Sequence, residues 1–143
     1  MKINSKICMF LAIIGFVFAF CRASIAAERV YSDTFSATVV SIYDGDTITV
    51  DLAGVPEVFG SKLGVRVYGV DTPEIKGPYK REAIKARDYV RSVCKVGSTA
   101  HLSNIRRDKY FRLDADIECG GVNVGQELLK RKMGKLYFGG KKI

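Results

Sequence analysis

The sequence predicts a mainly β domain with helices, an α+β fold built on a small five-stranded barrel. Three observations predict it. Three β-branched runs, separated by turn-forming residues, lie within residues 34–70. A stretch at 79–95 then carries its apolar residues at helical spacing. Two more strand-like runs and a second helical stretch complete the pattern.

Residues 34–42, TFSATVVSI, are β-branched with partial alternation and read as the first strand. Asp44-Gly45 is a turn signal, and residues 47–52, TITVDL, are the second strand. Residues 53–62, AGVPEVFGSK, hold three turn-formers and read as a long hairpin loop. Residues 63–70, LGVRVYGV, are the third strand, with Gly64 and Gly69 marking a bulge or a close backbone approach. In residues 79–95, Ala83, Ala86, Val90, Val93 and Cys94 share one helix face. Lys80, Arg81, Lys85, Arg87 and Arg91 fall mostly on the other, which reads as a water-facing surface. Gly97 ends this helix, and residues 99–105, TAHLSNI, are the fourth strand. A charged link, RRDKYFR, leads to the fifth, LDADIEC at 113–119. Residues 123–133 form a second helix capped by Asn123, and the tail GKLYFGGKKI is poorly specified. Three strands, a helix, two strands and a helix fit the OB-fold, a five-stranded barrel that often carries nucleic acid.

Residues 1–26 read as a secretory signal, with cleavage after Ala26 or Ala27. Two lysines precede an unbroken apolar run from Ile7 to Cys21, and small residues follow. The run is short against the roughly 20 residues a spanning helix needs. Residues 27–143 are then one domain, secreted or periplasmic. Lys2, Lys6 and Arg22 leave with the signal and no acid does, so the net charge falls from +8 to about +5. That modest excess suits an anionic partner without requiring one. Cys8 and Cys21 leave too. Cys94 and Cys119 remain, either as buried thiols or as a bridge worth roughly 3 kcal/mol on the loop-entropy model.

Two acidic knots carry the chemistry: YDGDTIT at 43–49 and RVYGVDTPE at 66–74. Asp46 and Asp71 each follow a β-run, and a barrel would set both at one rim. Carboxylates gathered in this way repel unless a cation lies between them. With Thr72 beside them the donors are all oxygen, which favours a hard divalent ion. Zn²⁺ would want His or Cys, and His101 is the chain's single histidine. Glu74 stands where it could take a proton from water. Arg66 and Arg112 match phosphate with their forked guanidinium groups. Metal, base and arginines together point to phosphodiester hydrolysis. Strict alternation sets Arg66 and Asp71 on opposite strand faces, so they converge only through a twist, a bulge or a turn near Gly69.

Taken in order, YDGDTITV at 43–50, RVYGVDTPE at 66–74 and RRDKYFR at 106–112 resemble the staphylococcal nuclease (thermonuclease) family. The likeness runs from about Thr34 to Leu136. It implies an OB-fold, one Ca²⁺, and cleavage of DNA and RNA with little sequence choice. The implied roles are Asp46 and Asp71 as calcium ligands with the Thr72 carbonyl, and Asp44 as an acid behind them. Glu74 is implied as the base that orders the water, and Arg66 and Arg112 as holders of the scissile phosphate. Water attacks phosphorus, the 5′-oxygen leaves, and 3′-phosphates result. The family's fold implies a monomer with no stable protein partner. The sequence departs from the family pattern at Phe111, where the staphylococcal enzyme has glycine. It also departs in the short segment after Glu74 and in the expected lack of a third, C-terminal helix. The alternative is an OB-fold module that binds nucleic acid without cutting it.

Overall fold

The computed structural model describes residue 30, residues 33–107 and residues 112–139. The expected signal at 1–26 and residues 108–111 of the charged link lie outside the described residues. Strands β1 (Phe35–Ile42), β2 (Thr47–Leu52) and β3 (Leu63–Val67) form an antiparallel meander. The short β4 (Val70–Asp71) follows, then helix α2 (Lys80–Val93) and strands β5 (Thr99–Arg107), β6 (Leu113–Cys119) and β7 (Val122–Asn123). Helix α3 (Val124–Lys130) and β8 (Lys135–Leu136) end the described chain.

β1 pairs with β5, β5 with β6, and β6 with β3 in the one parallel register of the barrel, Val65 opposite Leu113. That last pairing closes β1, β2, β3, β5 and β6 into a five-stranded barrel, the architecture the element order predicts. Closure of so small a sheet needs strong local bending. Bulges supply it in β1 between Val39 and Ser41 and in β5 between Ser103 and Arg106, where Asn104 takes φ +51°.

The barrel interior is filled by the inward half of each alternating strand: Val39, Ile48, Val50, Val65, Val67, Leu102 and Ile117 are all at most 1 % exposed. Burying such aliphatic side chains contributes about 1.5–3 kcal/mol each. Helix α2 buries Ala83, Ala86 and Val90, small residues at helical spacing that bring its axis close to the barrel. Asn123 caps α3 as its position predicts, accepting the Gln126 amide hydrogen at 2.9 Å. Cys94 at the end of α2 and Cys119 at the end of β6 form a disulfide across Cα atoms 5.3 Å apart.

Four expectations need correction. The stretch 53–62 contains a one-turn helix, α1 (Glu57–Gly60), so there are three helices rather than two among the described residues. Pro56 accepts the amide hydrogens of Phe59 and Gly60, and that local closure is invisible to a count of turn-formers. The third strand is not continuous over 63–70. It stops at Val67, and Gly69 at φ +74° starts a new strand. The fourth strand runs on through Arg106 and Arg107, residues assigned to a link. The described part of the tail, residues 134–139, contains β8, which pairs with β4, Lys135 opposite Asp71.

Candidate active site

The two acidic knots meet at one end of the barrel. β1 is held at its exit because the Ile42 carbonyl accepts two hydrogen bonds from Arg91, at 3.1 Å from Nε and 2.7 Å from Nη2. Arg91 is therefore an anchor, not part of a simple solvated face. The chain then turns through Asp44, Gly45 and Asp46. A Cβ at Gly45 would stand 2.7 Å from the Ala86 Cβ and 3.0 Å from Thr72 Oγ1. Only glycine lets the first knot sit this close to the second and to α2. Asp46, 7 % exposed, accepts the Thr72 amide hydrogen at 3.0 Å and the Thr47 hydroxyl at 3.1 Å.

Arg66 and Asp71 converge by the turn that alternation demanded. Arg66 sits on β3 opposite Thr47 of β2 and Asp114 of β6. Tyr68 and Gly69 re-aim the chain, and Asp71 swings back under the guanidinium. Arg66 Nη2 donates to Asp71 Oδ1 at 2.8 Å and lies 3.5 Å from Asp46 Oδ2. The three side chains are 15 %, 26 % and 11 % exposed, so water screens these pairs poorly. Burial alone would lower the Arg66 pKa, but Asp46, Asp71 and Asp114 outweigh it and hold the guanidinium charged. Burial, and then the charge of Asp46, push the Asp44 carboxyl up from its ordinary range.

A cleft of about 740 Å³ opens over this cluster. Asp44, Asp46, Arg66, Thr72, Glu74 and Arg112 all line it. Glu74 and Arg112 are exposed, at the cleft wall. Asp71 is not on the lining and joins the cleft through Arg66. The Cys94–Cys119 bridge is buried in the core, away from the cleft lining.

Sequence reasoning missed several lining residues. Tyr43 and Phe138, 60 % and 64 % exposed, line the cleft, and the Arg66 guanidinium lies 5.6 Å from the centre of the Tyr137 ring. Arg106 stacks on Tyr68 at 3.7 Å, and Tyr68 packs on Phe138. The aromatic pair Tyr137-Phe138 in an otherwise basic tail was the available signal. The long-range pairing of β8 with β4 that delivers it was not.

Two buried oxygens of the cluster, Asp44 Oδ1 and Thr72 Oγ1, have no hydrogen-bond partner among the described residues. An unpaired buried oxygen is costly unless a cation or water reaches it. The donors available there are oxygens alone, a set suited to Ca²⁺ rather than to a thiophilic ion. Among the described residues no group of three or more His, Cys, Asp or Glu side chains is gathered as a metal cluster. Asp46 and Asp71 are brought together at the Arg66 guanidinium, and Thr72 donates its amide hydrogen to Asp46.

No family model matches the chain. Curated relatives do. The chain is 35 % identical over 75 residues to the probable staphylococcal-like nuclease CAN1 of Oryza sativa subsp. japonica, covering 52 % of this chain and 22 % of that one. It is 32 % identical over 76 residues to the probable staphylococcal-like nuclease CAN4 of the same plant, covering 53 % and 14 %. It is 32 % identical over 81 residues to the staphylococcal-like nuclease CAN1 of Arabidopsis thaliana, covering 57 % and 24 %. The chain thus spans a quarter or less of the length of the curated relatives it matches. The resemblance carried by its three motifs holds: over about half its length, this chain is similar to staphylococcal-like nucleases.

Proposed function

We propose that the protein is an exported, Ca²⁺-dependent, sugar-nonspecific nuclease that hydrolyses phosphodiester bonds of DNA and RNA. The observation that carries the reading is the Asp46–Arg66–Asp71 cluster, assembled from two segments, whose Asp46 and Arg66 line a cleft together with Glu74 and Arg112. A half-buried arginine between two carboxylates, with two orphaned oxygens beside them, is poor design for stability alone. It is apt for a site that receives a cation and a phosphate. The nuclease names of the relatives support the same chemistry.

Asp46 and Asp71 would hold Ca²⁺ with the Thr72 carbonyl, and Asp44 would add negative charge behind them. When bound, Ca²⁺ supplies Lewis-acid stabilisation of the phosphate charge and polarises a nearby water. Arg66 and Arg112 bind the non-bridging oxygens of the scissile phosphate through paired N–H donors. Glu74 accepts the proton as water forms its bond to phosphorus. The bond to the 5′-oxygen breaks, that oxygen takes up a proton from solvent water in the open cleft, and a 3′-phosphate and a 5′-hydroxyl result. A site resting on two carboxylates binds Ca²⁺ weakly, near the roughly 10⁻⁴–10⁻³ M of extracellular modules. Such a site fills outside a cell, which accords with the secretory signal read at residues 1–26.

The test is digestion of plasmid DNA and of RNA in millimolar Ca²⁺ or in chelator, with an Arg66→Ala, Glu74→Ala double variant alongside. Calcium-dependent cleavage lost in the variant supports the reading. Binding that survives chelation with no cleavage under any condition replaces it with the non-catalytic OB-fold module.

A further inference from the structure

A second, smaller groove of about 210 Å³ lies beside the acid cleft. Its walls are Phe59 from α1, Leu63 and Gly64 from β3, and Arg107, Arg112 and Leu113 from the β5–β6 side. Arg107 and Arg112 line both the groove and the cleft, so the two are continuous across a guanidinium wall. Resting on the nuclease reading, we infer that this groove is a further nucleotide subsite. It takes a base of single-stranded nucleic acid against Phe59, with Arg107 at the phosphate that links it to the scissile position.

Phe59 is 72 % exposed, an uncommon setting for a phenylalanine. The turn presenting it is braced, not loose. Asp51 Oδ1 accepts the Lys62 amide hydrogen at 2.7 Å and the Ser61 hydroxyl at 3.2 Å. Lys62 adopts φ +51° to make that possible. Gly64 leaves the floor open, since a Cβ there would meet nothing within 4 Å. An aromatic face, two leucines and two arginines match the two halves of a nucleotide, a π-surface and a phosphate. Stacking on an aromatic platform needs an unpaired base, so single strands fit and duplexes do not.

The experiment measures binding of fluorescein-labelled oligothymidylates of two and eight nucleotides by anisotropy, at low salt with chelator. The wild-type protein should bind the longer oligomer at least tenfold more tightly. Phe59→Ala should lose roughly five-fold or more of that advantage, the scale of one stacked base. Gly64→Leu, which fills the groove, should do the same. Val58→Ala, on the same turn but off the groove, should not. Arg107→Gln should reduce the slope of log Kd against log salt by about 0.7 for a single strand. Thermal unfolding checks that each variant is folded. If Phe59→Ala and Gly64→Leu bind the longer oligomer as the wild type does, while Ca²⁺-dependent plasmid cleavage persists, the subsite is overturned and the nuclease reading stands. If the wild-type protein neither binds nor cleaves, both fall.

Discussion

Replacing Arg66 by Gln separates the structural role of this guanidinium from its role at phosphate. Nη2 faces Asp71 at 2.8 Å and Asp46 at 3.5 Å, with all three side chains at most 26 % exposed. Each charge pair at such range is worth about 4 kcal/mol gross at an effective dielectric constant near 20. Desolvation of the three groups cancels much of that gain. Deleting one member of a fully buried pair costs about 3–5 kcal/mol. Partial exposure here reduces the expected loss to about 2–3 kcal/mol, which lowers the Tm of a domain of this size by roughly 8–15 °C. The loss should appear in chelator, where the two carboxylates face each other without a cation. Millimolar Ca²⁺ should restore the variant more than it stabilises the wild type, because Arg66 no longer competes for the same oxygens. Differential scanning calorimetry in chelator and in Ca²⁺ measures both effects. A variant that unfolds within about 2 °C of the wild type in chelator, and gains no more from Ca²⁺, would refute the idea that Arg66 bridges the two acids.

Three further outcomes follow from the same structure. Gly45→Ala should destabilise the protein by about 1–3 kcal/mol through overpacking against Ala86 and Thr72 and should slow cleavage, which denaturant melts and digestion rates check together. Reducing the Cys94–Cys119 bridge, which spans 25 residues, should cost roughly 3 kcal/mol while leaving cleavage at 25 °C measurable, read as a drop in Tm. Hydrogen bonds from Lys130 and Arg131 hold the Glu127 carboxyl below its ordinary range. Its folded-state pKa is depressed, so its contribution is present at neutral pH and fades as pH falls through that lowered pKa. Glu127→Gln should therefore lower Tm at pH 7 and converge with the wild type as the medium is acidified below the ordinary glutamate pKa near 4.5.

The barrel was legible because β-branched runs and turn residues are local signals, and TITVDL and LDADIEC need no tertiary context to read as strands. The candidate residues stood out for a related reason: Asp46, Arg66, Asp71, Glu74 and Arg112 sit in short runs of acidic, hydroxyl and basic residues. What the motifs left open was how two knots 20 or more positions apart touch. That depends on Gly45 lacking a side chain, on Arg91 reaching the Ile42 carbonyl, and on Gly69 turning Asp71 back toward Arg66. Gly69 is itself a local signal for such a turn, but the Gly45 and Arg91 contacts are long-range and leave no pattern in residue order. The same holds for β8 and for Phe59, whose presentation rests on Asp51 capturing a loop eleven residues on.

The central claim is that the two acidic knots form one hydrolytic site. The measurement that tests it most directly is a double-mutant cycle on Ca²⁺-dependent DNA cleavage with Asp46→Asn, Asp71→Asn and the pair combined. Residues that act as a unit give losses that do not add. The account predicts that either substitution alone removes most of the activity and that the double variant is scarcely worse. Losses that multiply, or full activity in either single variant, would contradict it.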